Sequence, residues 1–449
     1  MKVKRLELKG FRGFDEIVLD FDTSPQRPTV FIGVNGVGKS SILDALAILL
    51  SWFINRVKYN RKSRNNALSG KYSAQGKKVN KIDIKNNHKV ANLMIKIKYQ
   101  NEDYYDWSLS SSGENILDDL NELTDNIRNG IKKNKITSIP TIIHYPVHRS
   151  VIKIPLENKI NYSTDILNTY DEILGNDSDR NFSSKSPSKI DTILKSSVFS
   201  FDIFFEWFRN IEDLENENRR DDPNHQNKQL MAIRYAIHAL IPGFDNLRVR
   251  RNPLRMTVNK TIGDKIEELT INQLSDGEKC LLAMVGDIAR RLAIANPSLD
   301  DPLQGEGIVL IDEIELHLHP TWQQDIIPAL TRTFPNCQFI ITTHSAQVLG
   351  YVHPENIYNL ESTQNGIIAR HPESSYGRDS NQNLENNMGT SKRPPKFEKD
   401  ILELFRLIDR NDFVGAKQLC QSIGSEIGFD EPELLRAGVV IKRKEILGK

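Results

Sequence analysis

The sequence predicts an α/β fold: a parallel-sheet head, an inserted lobe of mixed helices and strands, and a C-terminal helical tail. Three observations predict it. The apolar run PTVFIG (28–33) passes through a glycine-rich loop into an apolar helix, SSILDALAILLSWFI (40–54). That strand–loop–helix unit opens a parallel α/β sheet. Two further apolar runs, GIVLIDE (307–313) and CQFIITTHS (337–345), read as strands buried on both faces. Helix-like stretches then fill 397–447, separated by Asn411 and by 424–432.

The elements follow in order. Residues 3–9, VKRLELK, alternate as a half-buried strand; Gly10 and Gly13 mark a turn, and IVLDFD (17–22) alternates again. The stretch 56–89 is polar and basic, with Asp83 its sole acid, and reads as a solvated loop. LMIKIKY (93–99) and YYDWSLS (104–110) form a hairpin around QNED, a helix covers much of 116–132, and IPTIIHYPVHRSV (139–151) contains a strand. Residues 157–195 are rich in Asn, Ser and Asp, with poor periodicity. Helical pattern returns over 201–220 and 229–241, strands over 246–251, 254–260 and 267–271, and a long helix over 277–295. YGRDSNQNLENNMGTSKRPPK (376–396) reads as a linker. The resulting division is 1–55 and 241–372 as the two parts of the head, 56–240 as the inserted lobe, 373–396 as the linker and 397–449 as the tail. Sustained heptads are missing, which argues against a long coiled-coil arm.

Composition narrows the class. A net charge of +1 on 449 residues supplies no global attraction to nucleic acid. Cys280, Cys337 and Cys420 show no metal-ligand spacing and suit a reducing compartment. The opening MKVKRLELKG lacks a signal-peptide core. The apolar run 42–54 contains Asp44 and is short for a bilayer span. A soluble cytoplasmic chain without a membrane segment is expected.

Four motifs carry chemistry. Gly33-Val34-Asn35-Gly36-Val37-Gly38-Lys39-Ser40 matches GxxxxGK[ST]. Its glycines let successive backbone N–H groups turn toward a phosphate, and the following helix offers its positive end to the same anion. Lys39 would reach the β- and γ-phosphates, the Ser40 hydroxyl would ligate Mg²⁺, and Ser41 lies in the same helix turn. Second, Asp312-Glu313 end an apolar strand: Asp312 is placed for Mg²⁺ and Glu313 to polarise an attacking water. Alone, adjacent acids there are as readily solvated turn residues. Third, Leu274-Ser275-Asp276-Gly277-Glu278-Lys279 precedes a helix. A Ser and free N–H groups there can meet a phosphate, while Ser275 with Glu278 also makes an ordinary capping box. Fourth, His344 ends the strand 340–345 and could bond the γ-phosphate or the water.

These residues resemble the Walker A, signature, Walker B and H-loop of the ABC/SMC/RecF-like ATPases, and HLHP (317–320) resembles their D-loop. LELKGFRGF (6–14) is similar to the start of SMC-like repair ATPases, which makes Arg12 a candidate phosphate contact; the alternative is a surface charge in a hairpin turn. The resemblance implies an ABC/SMC-like P-loop ATPase head that binds ATP and Mg²⁺. It also implies a head-to-head homodimer with ATP between one subunit's Walker A and the other's signature. The family's Q-loop glutamine finds no clear match; Gln100 and the loop after 144–150, with Arg149, are the two positions considered. FFEWFRNIEDLENENRR (204–220), NLRVRRNPLRM (246–256), 271–320, 336–345, YGRDSN (376–381) and 432–449 look like bacterial anti-phage ATPases, nearest the Septu-type PtuA subunits also found in some retron systems. That resemblance implies an HNH endonuclease partner (PtuB-like) and, in a retron, a reverse transcriptase and its msDNA. The ten histidines show no HNH-type cluster and no Toprim-like acidic set follows the H-loop, so cutting is expected from the partner. The stripe Ile401, Leu404, Phe405, Ile408 reads as local core or as an oligomer or nuclease-docking face; the basic 56–89 could touch DNA. Two readings compete with the defence ATPase: a RecF-like repair ATPase acting directly on DNA, and an ATP-sensing module with little hydrolysis.

Overall fold

The computed structural model describes residues 1–59, 74–100, 103–147, 166–170 and 201–447. Two compact units divide it, Met1–Asp379 and Ser380–Lys449. Most of 157–195 and residues 148–150, with Arg149, lie outside the described residues.

Two sheets with a helix between them form the first unit's core. Strands β1 (Lys2–Phe11), β2 (Phe14–Asp20), β4 (Asn92–Tyr99) and β5 (Asp103–Ser110) make an antiparallel sheet in the order β2-β1-β4-β5. The larger sheet runs β13 (Gly366–Arg370), β12 (Ile357–Thr363), β3 (Thr29–Gly33), β11 (Cys337–Thr342), β10 (Gly307–Ile311), β6 (Thr141–Tyr145). It is parallel except for β13. The strands of this sheet's centre are mostly apolar because both faces are covered, with Thr29, Gln338 and Thr342 the polar members. Helix α1 (Lys39–Lys58) lies between the sheets and shares one core with Leu6, Leu93 and Trp107 of the first and Ile142, Leu310 and Ile340 of the second. Gln338 clasps the sheets: its amide accepts from the Val3 N–H at 2.6 Å and donates to the Val3 carbonyl at 2.9 Å.

Helix α2 (Asp118–Lys132) lies between β5 and β6, and α3 (Phe201–Asn218) and α4 (Lys228–Leu240) follow β6. A three-stranded antiparallel sheet follows, β7 (Phe244–Arg251), β8 (Leu254–Ile262), β9 (Lys265–Thr270), and it delivers the chain to α5 (Asp276–Ala295). Helices α6 (Pro320–Thr333) and α7 (Ala346–Leu349) flank β11 in sequence.

The second unit contains α8 (Ser380–Met388), α9 (Pro395–Asp409), α10 (Phe413–Ile427) and α11 (Pro432–Leu447). Ile401, Leu404 and Ile408 are buried with Ala416, Ile423, Leu434, Ala437 and Ile441, and Phe405 packs beside them. The stripe is therefore that unit's own core.

Four expectations need correction. The stretch 56–240 is not a lobe apart in its described strands, because β4 pairs with β1 from Lys2 to Lys9 and β6 is an edge strand of the main sheet. The described part of the basic stretch is not a free loop. The Lys77 N–H donates to Ser51 Oγ, the Trp52 indole donates to the Lys77 carbonyl, and the Asn55 amide donates to the Gln75 carbonyl. The linker 373–396 carries α8, and the unit boundary falls at 379/380. Finally, α1 has 20 residues and is long and apolar enough to cross a membrane. Its apolar positions are buried between the sheets instead, which the 42–54 run alone did not reveal.

Candidate nucleotide site

The glycine-rich loop is shaped by backbone conformations that side chains rarely adopt. Gly33, Gly36 and Gly38 have φ of 138°, 79° and 108°. A Cβ on Gly38 would sit 2.6 Å from the Phe14 ring, and one on Gly33 would sit 2.5 Å from the Leu360 carbonyl oxygen. Asn35 and Gly36 are exposed at the loop's tip and Val37 is tucked inward. Ser40, exposed, and Ser41, half-buried, open α1. Lys39 turns into the loop, donating to the Gly33 and Val34 carbonyls at 2.8 and 3.0 Å. Burial lowers its ammonium from the ordinary value, while Asp312, Glu313 and Glu315 pull it back up. The lysine that would meet phosphate therefore lies within the electrostatic reach of three carboxylates.

Those carboxylates are positioned by the neighbouring strand. Asp312 directly follows β10, beside β11, and is 5% exposed. Thr342 Oγ1 donates to Asp312 Oδ1 at 2.5 Å and accepts the Glu313 N–H at 2.8 Å. Glu313 has φ of 47°, an uncommon value for a non-glycine residue. Glu315 accepts from Thr343 Oγ1 at 2.7 Å and from the His344 N–H at 2.6 Å. Thr342 and Glu315 hold the backbone and side chains of the predicted site residues, and sequence reasoning passed over both. A threonine in an apolar strand reads as a β-former, and Glu315 reads as a turn acid. His344 is exposed at the end of β11, on a backbone held by Glu315.

The signature segment folds as the capping box that the sequence suggested. Ser275 Oγ accepts the Glu278 N–H, while Glu278 Oε2 accepts from the Ser275 N–H at 2.8 Å and its hydroxyl at 2.9 Å. Burial would raise the Glu278 carboxyl; Lys260 and Ser275 outweigh it and hold it below its ordinary value. Glu278 is thus committed inward, and Ser275 and Asp276 are the exposed members. Gly277 packs on the turn after the acids: a Cβ there would lie 2.3 Å from the His317 carbonyl oxygen. Within one chain, no hydrogen bond or ion pair among the described residues links 275–278 to 33–41.

Arg12 is no simple surface charge. Its Nε donates to Asp83 at 3.0 Å and its Nη1 to Asp44 of α1 at 2.5 Å. Burial would lower the guanidinium; the two carboxylates overcome it and raise it. Gln100 lies far from the glycine loop. It sits in the β4–β5 turn, beyond Lys98, which pairs with Lys2. The Met1 amino group there pairs with Glu306, just before β10 begins. The loop lies at the other end of the same parallel strands.

A parallel sheet with β11 between the glycine-loop strand and the strand ending in Asp312-Glu313, and a capped signature helix placed against the following turn, define a P-loop nucleotide-binding head. The chain belongs to the RecF/RecN/SMC N terminal domain family, whose description matches residues 2–369. It is 30% identical to the retron Ec83 probable ATPase of Escherichia coli over 504 aligned positions, covering 99% of this chain and 87% of that protein. It is 32% identical to the Septu protein PtuA of Bacillus mycoides over 139 positions, 31% of this chain and 18% of that protein. The SMC head domain from Thermotoga maritima overlays 83% of this chain and all of that one, at 16% identity and a TM-score of 0.42.

Proposed function

We propose that this chain is the ATPase subunit of a bacterial anti-phage defence complex. In this reading, ATP bound and hydrolysed at sites shared between two copies controls a partner nuclease of HNH type. The observation that carries the shared site is the separation just described. The glycine loop and the capped signature are each formed, yet among the described residues no hydrogen bond or ion pair within one chain joins them. Ser275 and Asp276 are left exposed at a helix N-terminus, where a second copy's phosphate could meet them. Similarity to a retron ATPase over nearly the whole chain supports the defence setting.

The donor set suits ATP with Mg²⁺. The Ser40 hydroxyl and the Asp312 carboxylate, fixed by Thr342, are hard oxygen ligands of the kind that cation takes. Mg²⁺, when bound, supplies charge neutralisation at the phosphates. Lys39 and the loop N–H groups of 33–38 hold the β- and γ-phosphates. Glu313 takes the proton of the attacking water, and the exposed His344 side chain offers a hydrogen-bond partner for the γ-phosphate. Arg12, anchored by Asp44 and Asp83, lies at the flank of α1.

The test uses native mass measurement and ATP turnover with the wild type and Glu313→Gln. ATP should convert the chain to a dimer. Glu313→Gln should keep ATP and the dimer while turnover falls roughly 100-fold or more, the size of a general-base contribution. A chain that binds ATP but stays monomeric at all concentrations refutes the shared site. Unchanged turnover in Glu313→Gln refutes the assignment of the base. Co-purification with an HNH protein encoded nearby, cleaving DNA in an ATP-dependent manner, tests the partner.

A further inference from the structure

Away from the glycine loop, residues of α3, α4, β7 and β8 line a cleft of about 580 Å³. Its wall is built on two buried carboxylates. Glu212 accepts from the Val249 N–H at 3.0 Å, from Arg251 at 2.6 Å and from Arg234 at 3.1 Å. Glu215 accepts from the Asn227 N–H at 2.9 Å, and its other oxygen meets both Arg234, at 3.2 Å, and Arg219, at 3.3 Å. Both acids are thus engaged from within, and they fix the guanidinium groups around them. Arg219 just past α3, Arg234 of α4 and Arg248 of β7 keep side chains 40%, 25% and 33% exposed on the same cleft. The exposed Asp245 there accepts the Asn246 N–H at 2.6 Å.

Arg248 reaches the cleft through a β-bulge. Asp245 pairs with Asn259 and Arg248 with Thr257, so β7 carries one residue more than β8 between those pairs. Asn246, within the bulge, has φ of 53°. In an unbroken ladder Leu247 would oppose Thr257, and Arg248 would fall on the core face beside Met256. The bulge buries Leu247 instead and gives Arg248 to the cleft. Arg248 Nη2 meets Glu268 at 3.0 Å, but its Nε is buried and has no hydrogen-bond partner among the described residues. A donor enclosed in a cleft wall is costly unless a ligand or water reaches it.

Guanidinium groups converging from three elements suit an anion with several oxygens; a carboxylate needs only one such fork. Asn216 and Asn259 add amides able to pair with a base or a sugar. The volume is that of a small-molecule site. Asn259 adjoins Lys260, whose ammonium donates at 2.5 Å to Glu278, the residue that closes the signature cap on Ser275.

We infer that this cleft is a second ligand site, taking a nucleoside phosphate through Arg219, Arg234 and Arg248, and that its occupancy bears on the signature through Asn259, Lys260 and Glu278. The binding stands apart from the ATPase reading; the effect on the signature rests on that reading.

The test is calorimetric titration of the full chain carrying Lys39→Ala, which silences the glycine loop. AMP, GMP and inorganic pyrophosphate are the probes, with a short single-stranded oligonucleotide for comparison. At least one nucleotide should saturate a single site, and pyrophosphate should compete with it. Arg248→Ala should weaken binding roughly 10-fold or more, the size of a lost charge-assisted hydrogen bond. Arg248→Lys should recover only part, since it keeps the charge without the fork. Arg255→Ala, at an exposed arginine of β8 outside the cleft, should change nothing. Thermal melting establishes folding. Failure of all probes to bind saturably at millimolar concentration, or equal losses in Arg248→Ala and Arg255→Ala, overturns the site. Arg248-dependent binding of the oligonucleotide with which AMP and GMP do not compete overturns the small ligand in favour of a strand. With Lys39 intact, the bound nucleotide should shift the ATP needed for half-maximal dimerisation roughly 5-fold or more. Arg248→Ala and Lys260→Met should each remove that shift, the second without loss of probe binding. No shift, or one that survives either substitution, overturns the link to the signature. A chain that binds the probe yet stays monomeric with ATP supports the cleft and refutes the shared-site reading instead.

Discussion

Thr342 hydrogen-bonds Asp312 at 2.5 Å and, through the same oxygen, the Glu313 backbone at 2.8 Å, so one hydroxyl sets the aim of both acids. Thr342→Val keeps the shape and removes the hydroxyl. The Glu313 N–H then faces a methyl, and Asp312 loses a donor. Turnover at fixed ATP should fall about 10–100-fold, the range for outer-sphere partners of metal ligands. Thr342→Ser should stay near wild type. Steady-state hydrolysis across a Mg²⁺ series, with melting temperatures as control, reads both; an active, fully folded Thr342→Val would show that the clamp does not govern the acids.

Gly277 and His317 make the second contact on which the site depends. The Cβ of Gly277→Ala would sit 2.3 Å from a backbone oxygen, which a side-chain shift cannot relieve. His317 has φ of 66°, so its turn has little room to yield. The substitution should cost about 1–3 kcal/mol, as overpacking does, and displace the signature from the turn that follows Glu313. ATP affinity of the monomer should survive while ATP-driven dimerisation weakens. Sedimentation velocity with and without ATP separates the two; normal dimerisation would mean that the contact is slack.

The head was legible where one short string fixes both backbone and chemistry. Gly33, Gly36 and Gly38 are needed for positive φ, and Lys39 follows at a set distance. Ser275 and Glu278 announce their own cap three residues apart. What the sequence hid depends on contacts distant along the chain. Asp83, the lone acid of a basic stretch, looked like a solvated loop residue. It is 5% exposed because Arg12, 71 positions earlier, donates to it and because it caps its own turn. The sheet membership of β4 and β6 was hidden for the same reason: a hairpin and an isolated strand carry no sign of which sheet they join.

Arg12 and Asp83 give the next prediction. Arg12→Ala leaves a buried carboxylate with backbone donors only, including the Asn80 N–H at 3.0 Å. Stranding a buried charged acceptor costs about 1–3 kcal/mol or more. Urea denaturation should show that loss, and the double variant Arg12→Ala/Asp83→Asn should recover part of it. ATP affinity, measured on the same samples, reports the phosphate role separately: a fall beyond the stability effect, unrepaired by Asp83→Asn, places the guanidinium on nucleotide.

The edge strand β6 is anchored from its far face by a buried cluster, and this makes a pH prediction. Asp287 is fully buried and bonded by Arg290 at 2.6 Å, Arg291 at 2.8 Å and the Tyr145 hydroxyl. Burial alone would raise its carboxyl; the two arginines outweigh that and hold it below the ordinary value. A carboxyl depressed in the folded state contributes stability that is present above its unfolded pKa, about 3.9, and is lost as pH falls through the folded value. The contribution should therefore be constant from pH 7 to about 5 and decline progressively below about 4. Asp287→Asn strands two buried guanidinium groups and should cost about 3–5 kcal/mol at neutral pH. The gap between wild type and variant should narrow as pH drops below about 4, because only the wild type has this charge to lose. Urea midpoints at pH 7, 5, 4 and 3 measure it; a gap that is unchanged at the lowest pH would mean that the carboxylate charge is not what the arginines hold. Because Tyr145 hangs from this cluster, the variant should also loosen β6 at the edge of the main sheet.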